Sequence, residues 1–429
     1  MLKPFGLLGM LFVLVLIAFL IACGSSYNAS TNGLVVVGSQ GSAVLETFSF
    51  SLNNGHVSAI ANSPNDTANK TCVLNGLPGA IAVDVTGSYA YAIINENSTC
   101  SGSKTGIATF KIGSDGNISA STGLTNFKPA GAAAVVPYAM SRDSAGKFLF
   151  VANRAGAGGP GTISVFSISG GSLSEVAGSP FSTPAASLTP DIVSVAASPT
   201  TFPSVGINGT VNAVCSVQGT VAPTSEYLYA VDANNYGVWE FSVNTSTGVL
   251  GNPPKQSQAA FFPTDKIPMG VAVDPCDRFV YVSDSLTNKI SAYTMCVASA
   301  ANGPCPNADG SLVEIAGSPI ALTGSANGPG PLVVDPYGNN VYVVDTLSNT
   351  VSGFKISTVS GSLTALSPAT VATGINPTSI AIRGDDNWLF VSNYGAATVS
   401  QYSITPATGV LSVLPPIATD NLPWGVAVK

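Results

Sequence analysis

Charge is scarce in this chain, so the places where it interrupts apolar runs stand out. AMSRDSAG carries Arg142 and Asp143, and AIRGDDN carries Arg383, Asp385 and Asp386. Hydrolytic chemistry needs a base or an activated water, and donors for the oxyanion that forms. Arg142 and Arg383 are the residues to test first as ligand contacts. Asp143, like Asp274 and Asp335, suits the organisation of a turn better than catalysis. The single histidine, His56, lies in SLNNGHVSAI and reads as an exposed turn residue, not a general base. No G-x-S-x-G elbow and no G-x-x-x-x-G-K-[ST] loop is present. The glycine-rich AGAGGPG at 155–161 joins two strands and is not a nucleotide cradle. Catalytic residues are therefore unassigned, and no cofactor is expected.

Cysteine spacing gives no metal site either. Beyond Cys23 the chain has Cys72, Cys100, Cys215, Cys276, Cys296 and Cys305, with no C-x-x-C pair among them. An even set in an exported chain favours disulfides. Cys296 and Cys305 frame a loop and are the easiest pair to close. Cys72 with Cys100 and Cys215 with Cys276 are the expected others.

Export is read from the first residues. MLKPFGLLGMLFVLVLIAFLIAC has the basic Lys3 and then an apolar stretch from Phe5 to Ala22. Plain export and a retained membrane helix are the competing readings. Leu20-Ile21-Ala22-Cys23 before Gly24 resembles the bacterial lipobox. That resemblance implies a signal peptide over 1–22, lipid on Cys23, and a tether over 23–33 that holds the protein to a membrane. The location it implies is the bacterial cell envelope, outside the cytoplasm, periplasmic or surface-facing. Charged residues are only 9% of the chain, the net charge is −7, and no lysine-arginine cluster exists, so nucleic acid is not a partner.

What remains is one unit written repeatedly. PGPLVVDPYGNNVYVVDTLSNTVSGFKI has Pro329 six residues before Asp335, Tyr342 seven after it, and Phe354 twelve beyond that. The same marks recur as Pro78, Asp84 and Tyr91; Pro137, Asp143 and Phe150; Pro268, Asp274 and Tyr281; and Pro377, Arg383 and Phe390. In a further copy Pro190 is followed by Ala196 at the aspartate position and, after an insertion over 197–224, by Tyr229. Each copy predicts four antiparallel strands. The first two read as buried, the third as alternating, the fourth as short and exposed. Asp-Pro-x-Gly links read as tight turns.

LPWGVAVK at 422–429 is a lone first strand, and LVVVGSQGSAVLETFSF at 34–50 is a second and third strand without a first. Joining them closes a ring and removes unpaired edges. The expected architecture is an all-β, seven-bladed propeller over 34–429, monomeric, with the C-terminal strand completing the N-terminal blade. A solenoid would need capping units, and stacked sandwiches would not be periodic.

The units V-x-V-D-P-x-G-x-x-V-Y-V and V-S-x-F-x-I resemble the YVTN-type propeller repeat. YVSD at 281–284, FVSN at 390–393 and FVAN at 150–153 are close variants of its tetrapeptide. The wider resemblance is to the lactonase-like seven-bladed family, which includes 6-phosphogluconolactonase. It implies that first strands line a central channel and that an enzyme here would open a sugar lactone. Uncharged loops rich in Ser, Thr and Asn, with long ones at 197–224 and 296–310, point first to a binding or scaffold module for a protein or glycan. The alternative is a lactonase-like hydrolase.

Overall fold

The computed structural model describes residues 32–41, 44–60, 81–84, 86–94, 106–119, 123–128, 135–156, 159–183, 189–199, 225–252, 260–297, 305 and 307–429. The proposed signal peptide, Cys23, Cys72, Cys100, Cys215 and most of the 197–224 insertion lie outside these residues. Among the described residues, the strands form seven antiparallel sheets, each built as the repeat predicts. Blade 5 shows the pattern: Pro268–Val273 innermost, then Phe279–Asp284, Lys289–Met295 and Leu312–Glu314 outermost. Its second strand is buried at every position. Its third strand is buried over most of its length instead of alternating, because neighbouring blades cover both faces.

The innermost strands are Ile81–Val83 in blade 2, Val136–Arg142 in blade 3, Ile192–Ala197 in blade 4, Pro329–Val334 in blade 6 and Pro377–Ile382 in blade 7. Together with Pro268–Val273 and Pro423–Val428 they touch one another in a closed cycle. Pro423–Val428 is the innermost strand of blade 1, whose other strands are Asn32–Ser39, Val44–Ser51 and Val57–Ala59. Val428 pairs with Val35, Ala427 with Val36 and Val426 with Val37. The ring therefore closes as the two lone segments require.

Two boundaries differ from the sequence reading. The first strand begins at Asn32, two residues before the expected start of the propeller at 34, and Asn32 and Gly33 pair with Ser51 and Phe50. In blade 4 the proline mark misleads. Ile192 pairs with the strand-ending Asp232 as Pro268 pairs with Asp284, so Ile192 fills the proline place. Ser198, not Ala196, then stands where blades 2, 3, 5 and 6 have Asp84, Asp143, Asp274 and Asp335. Its N–H donates to Tyr227 O, and its hydroxyl accepts from Tyr227 N at 3.0 Å, as the Asp143 carboxylate accepts from Phe148 N at 2.8 Å.

The repeated aspartates act as turn organisers. Asp335 accepts from the N–H groups of Tyr337 and Asn339, and from the Asn340 amide, within a turn whose Gly338 has φ 68°. The repeated aromatic ring in the second strand latches one blade to the next. Tyr229 Oη donates to Gly310 O at 2.6 Å, Tyr281 to Gly361 O at 2.9 Å and Tyr342 to Gly409 O at 2.7 Å. Each acceptor sits in the outer turn of the following blade. Phe390 has no hydroxyl, and there Gln401 Nε2 reaches across to Gly55 O at 2.6 Å instead. Cys296 and Cys305 are disulfide-bonded, as expected. Cys276 is also disulfide-bonded, to a cysteine outside the described residues.

Candidate functional site: the central channel

The innermost strands of blades 3 to 7 wall a cavity beside the axis. Its lining mixes small residues, among them Ala139, Ser194, Gly270, Ala196 and Ala272, with the bulkier Met140, Met269, Leu332 and Ile382. The cavity measures ≈ 370 Å³, within the range of small-molecule sites. No charged residue lines it.

Arg142 and Arg383 directly follow two lining residues, Ser141 and Ile382. They therefore stand at the end of the cavity where first strands finish, here called the lower rim. Arg142 Nε donates to Val83 O of blade 2 at 3.0 Å, and its Nη1 to Asp143 O at 3.2 Å. Arg383 Nε donates to Lys429 O of blade 1 at 3.1 Å, and its Nη1 pairs with Asp385. Each arginine thus straps its first strand to a neighbour. Arg142 is held by blades 2 and 3 and Arg383 by blades 7 and 1, so they share no partner. His56 is exposed in the turn before Val57–Ala59, on the outer edge of blade 1, away from this cavity. Among the described residues no group of three His, Cys, Asp or Glu side chains is placed to hold a metal ion.

The sequence did not single out Arg154, Asp191 or Arg278. At the opposite, upper rim, Arg154 makes a forked pair with Asp191, with Nη2 to Oδ2 at 2.6 Å, and lies 4.9 Å over the Tyr138 ring. Between blades 5 and 6, Arg278 is buried against Asp274, with Nε and Nη2 each 2.8 Å from a carboxylate oxygen, and it also donates to Gly338 O. Removing one partner strands the other charge in the interior. Arg278→Ala is expected to cost about 3–5 kcal/mol, read as a lower urea midpoint at unchanged slope. Combining Arg278→Met with Asp274→Leu is expected to recover most of that loss, because no charge is then left buried alone. A single-variant cost below about 1 kcal/mol would contradict the assignment.

Blades 4 and 5 also bury carboxylates. Neither oxygen of Glu226, Glu240 or Asp277 has a hydrogen-bond partner. Burial pushes their pKa values up to about 8, 9 and 8 respectively. At neutral pH they are carboxylic acids inside the blades, not bases facing the channel.

The pattern of the family described as "Lactonase, 7-bladed beta-propeller" matches residues 307–421, which span the end of blade 5 and blades 6 and 7. The fold is that of the lactonase-like propellers. The structure of the Pseudomonas aeruginosa periplasmic gluconolactonase is similar at TM-score 0.66 and 16% identity, spanning 93% of this chain and 99% of the other. A candidate 6-phosphogluconolactonase from Bacteroides fragilis is similar at TM-score 0.64 and 18% identity, over 94% of this chain and 99% of that one. At these identities the likeness concerns the fold. No curated protein matches the chain.

Proposed function

We propose that this protein is an exported lactonase-like hydrolase that opens a lactone in the central channel. The observation that carries this reading is the coincidence of the lactonase pattern over 307–421 with strands that wall the cavity. The loops favour a binding module, but most of their length lies outside the described residues, whereas the cavity adds to the hydrolase reading. Ring opening adds one water across the acyl C–O bond: the hydroxyl joins the carbonyl carbon, and the ring oxygen leaves as an alcohol with the remaining proton. In this reading the N–H groups that Arg142 and Arg383 do not give to backbone carbonyls or to the Asp385 carboxylate face the developing oxyanion. A serine–histidine nucleophile is not part of it, since His56 lies elsewhere.

Export and a lipid anchor at Cys23 belong to the same proposal. The Cys296–Cys305 disulfide and the bonded Cys276 suit an oxidising compartment. A fold relative is named as periplasmic. Metabolic labelling with a fatty-acid probe tests the anchor, and a Cys23→Ala chain that still takes up label would overturn it.

Hydrolysis is tested with purified mature protein on a panel of lactones, following proton release. Turnover is expected, with Arg383→Ala lowering kcat/KM by about 10²–10³. Folded protein that opens no lactone would sink the hydrolase reading.

A further inference from the structure

Resting on the hydrolase reading, we propose that the channel takes an uncharged lactone bearing an apolar substituent, not a polyhydroxylated or phosphorylated sugar lactone. The first ground is the wall. Carbon side chains such as Met140, Met269, Leu332, Ile380 and Ile382 line the cavity, and the side-chain hydroxyls there are only Ser141, Ser194 and Ser379. Ser141 leans toward Arg142 O at 3.4 Å, and the Ser379 oxygen is 3.4 Å from Val426 N. A sugar lactone presents several hydroxyls, each of which loses water on entering and needs a partner there. A phosphate needs cations of its own, and the wall has none: in this reading the lower-rim arginines serve the reacting carbonyl, and Arg154 at the upper rim is paired with Asp191.

The second ground is the upper rim. Leu286, Leu347 and Ile375 are 60%, 71% and 63% exposed, and Ile267 is exposed beside them. Backbone hydrogen bonds tie these turns to the starts of the first strands: Ser285 N to Ile267 O, Leu347 N to Asn327 O and Gly395 N to Ile375 O. The apolar groups therefore line one arc of the opening, over blades 5 to 7 and above Met269. Ile267 and Leu422 adopt φ 55° and 58° at a place that Gly328 and Asn376 fill in other blades. Bulky residues are rare in that conformation, and such strain collects at functional sites. A cavity of ≈ 370 Å³ holds roughly a dozen water-sized groups, enough for a lactone ring and a short chain. A longer chain runs out over Leu347 and Ile375.

The test is a series of γ- and δ-lactones with alkyl chains of increasing length, set beside glucono-δ-lactone and its 6-phosphate. Hydrolysis gives KM and kcat, and calorimetry gives binding. Affinity is expected to rise about fourfold per methylene until the chain leaves the protein, with the phosphorylated lactone at least 100-fold poorer. Leu347→Ser and Ile375→Ser, both at exposed turns, are expected to weaken the long-chain members about tenfold and leave the shortest unchanged. Turnover of gluconolactone with no chain-length dependence overturns this inference while hydrolysis stands. Chain-length-dependent binding without turnover of any lactone supports the channel assignment and overturns hydrolysis. Equal affinity for all members, with both serine variants silent, also overturns it.

Discussion

Deleting Pro423–Lys429 is expected to eliminate the folded monomer. These residues supply the innermost strand of blade 1, and Val426 among them is buried. Without them Val35, Val36 and Val37, all fully buried in the ring, become a flat apolar edge with unpaired N–H and C=O groups. Blades 7 and 2 also lose the strand that each touches. Size-exclusion chromatography is expected to show soluble aggregates or no soluble protein, and thermal scans no cooperative transition. A synthetic peptide covering 419–429 is expected to restore part of the monomer by adding back the strand. A truncated chain that elutes as a monomer with an unchanged Tm would show that closure is dispensable.

Stability is expected to fall as pH rises from 5 to 9, the reverse of the usual carboxylate behaviour. Glu226, Glu240 and Asp277 are 1%, 0% and 2% exposed, and burial is the first cause of their raised pKa values. In the unfolded chain they ionise near pH 4 to 4.5. In the ring they keep the proton until about pH 8 for Glu226 and Asp277 and about 9 for Glu240. Between those limits the native state binds more protons, so stability is full below the unfolded pKa and is lost as pH climbs through the folded one. The loss is at most about 1.4 kcal/mol per group for each pH unit, enough for a Tm drop on the order of ten degrees. Glu240→Gln is expected to flatten the profile. Gln401 occupies the same register place in blade 7, pairing with Phe390 as Glu240 pairs with Tyr229, and its amide finds a turn carbonyl. A Tm that is flat or rises over pH 5–9 would refute this.

The fold was legible because each blade repeats what the backbone needs. Proline at the strand start, aspartate at the turn and an aromatic ring in the second strand are local requirements, and local requirements leave marks at fixed spacing. Blade 4 shows where that fails. Pro190 lies two residues before the true proline place, and only the cross-strand pairing of Ile192 with Asp232 reveals the shift. The contacts between blades were less legible. Arg278 finds Asp274 nearby in sequence but Gly338 far along it, and the tyrosine latches end on carbonyls that any residue could provide. The site was the least legible part. Arg142 and Arg383 stood out as exceptions, and the ring places them alike at the cavity's lower end. The cavity itself is walled by Ala139, Gly270, Ala196 and Ala272 beside Met269 and Leu332, and uncharged residues in strands carry no chemical signature of their own.

The pairing of Val35 with Val428 has a consequence in time. It joins residues near opposite ends of the sequence, the least local contact a chain can make, and such contacts form late. The first strand must wait for the last. While a growing or threading chain lacks its final segment, the sheets remain an open array with no ring to lock them. Under the export proposed above that delay is useful, since a secretion channel passes extended chain and not finished propellers. Topology here doubles as a clock, set to strike only after the last strand has arrived.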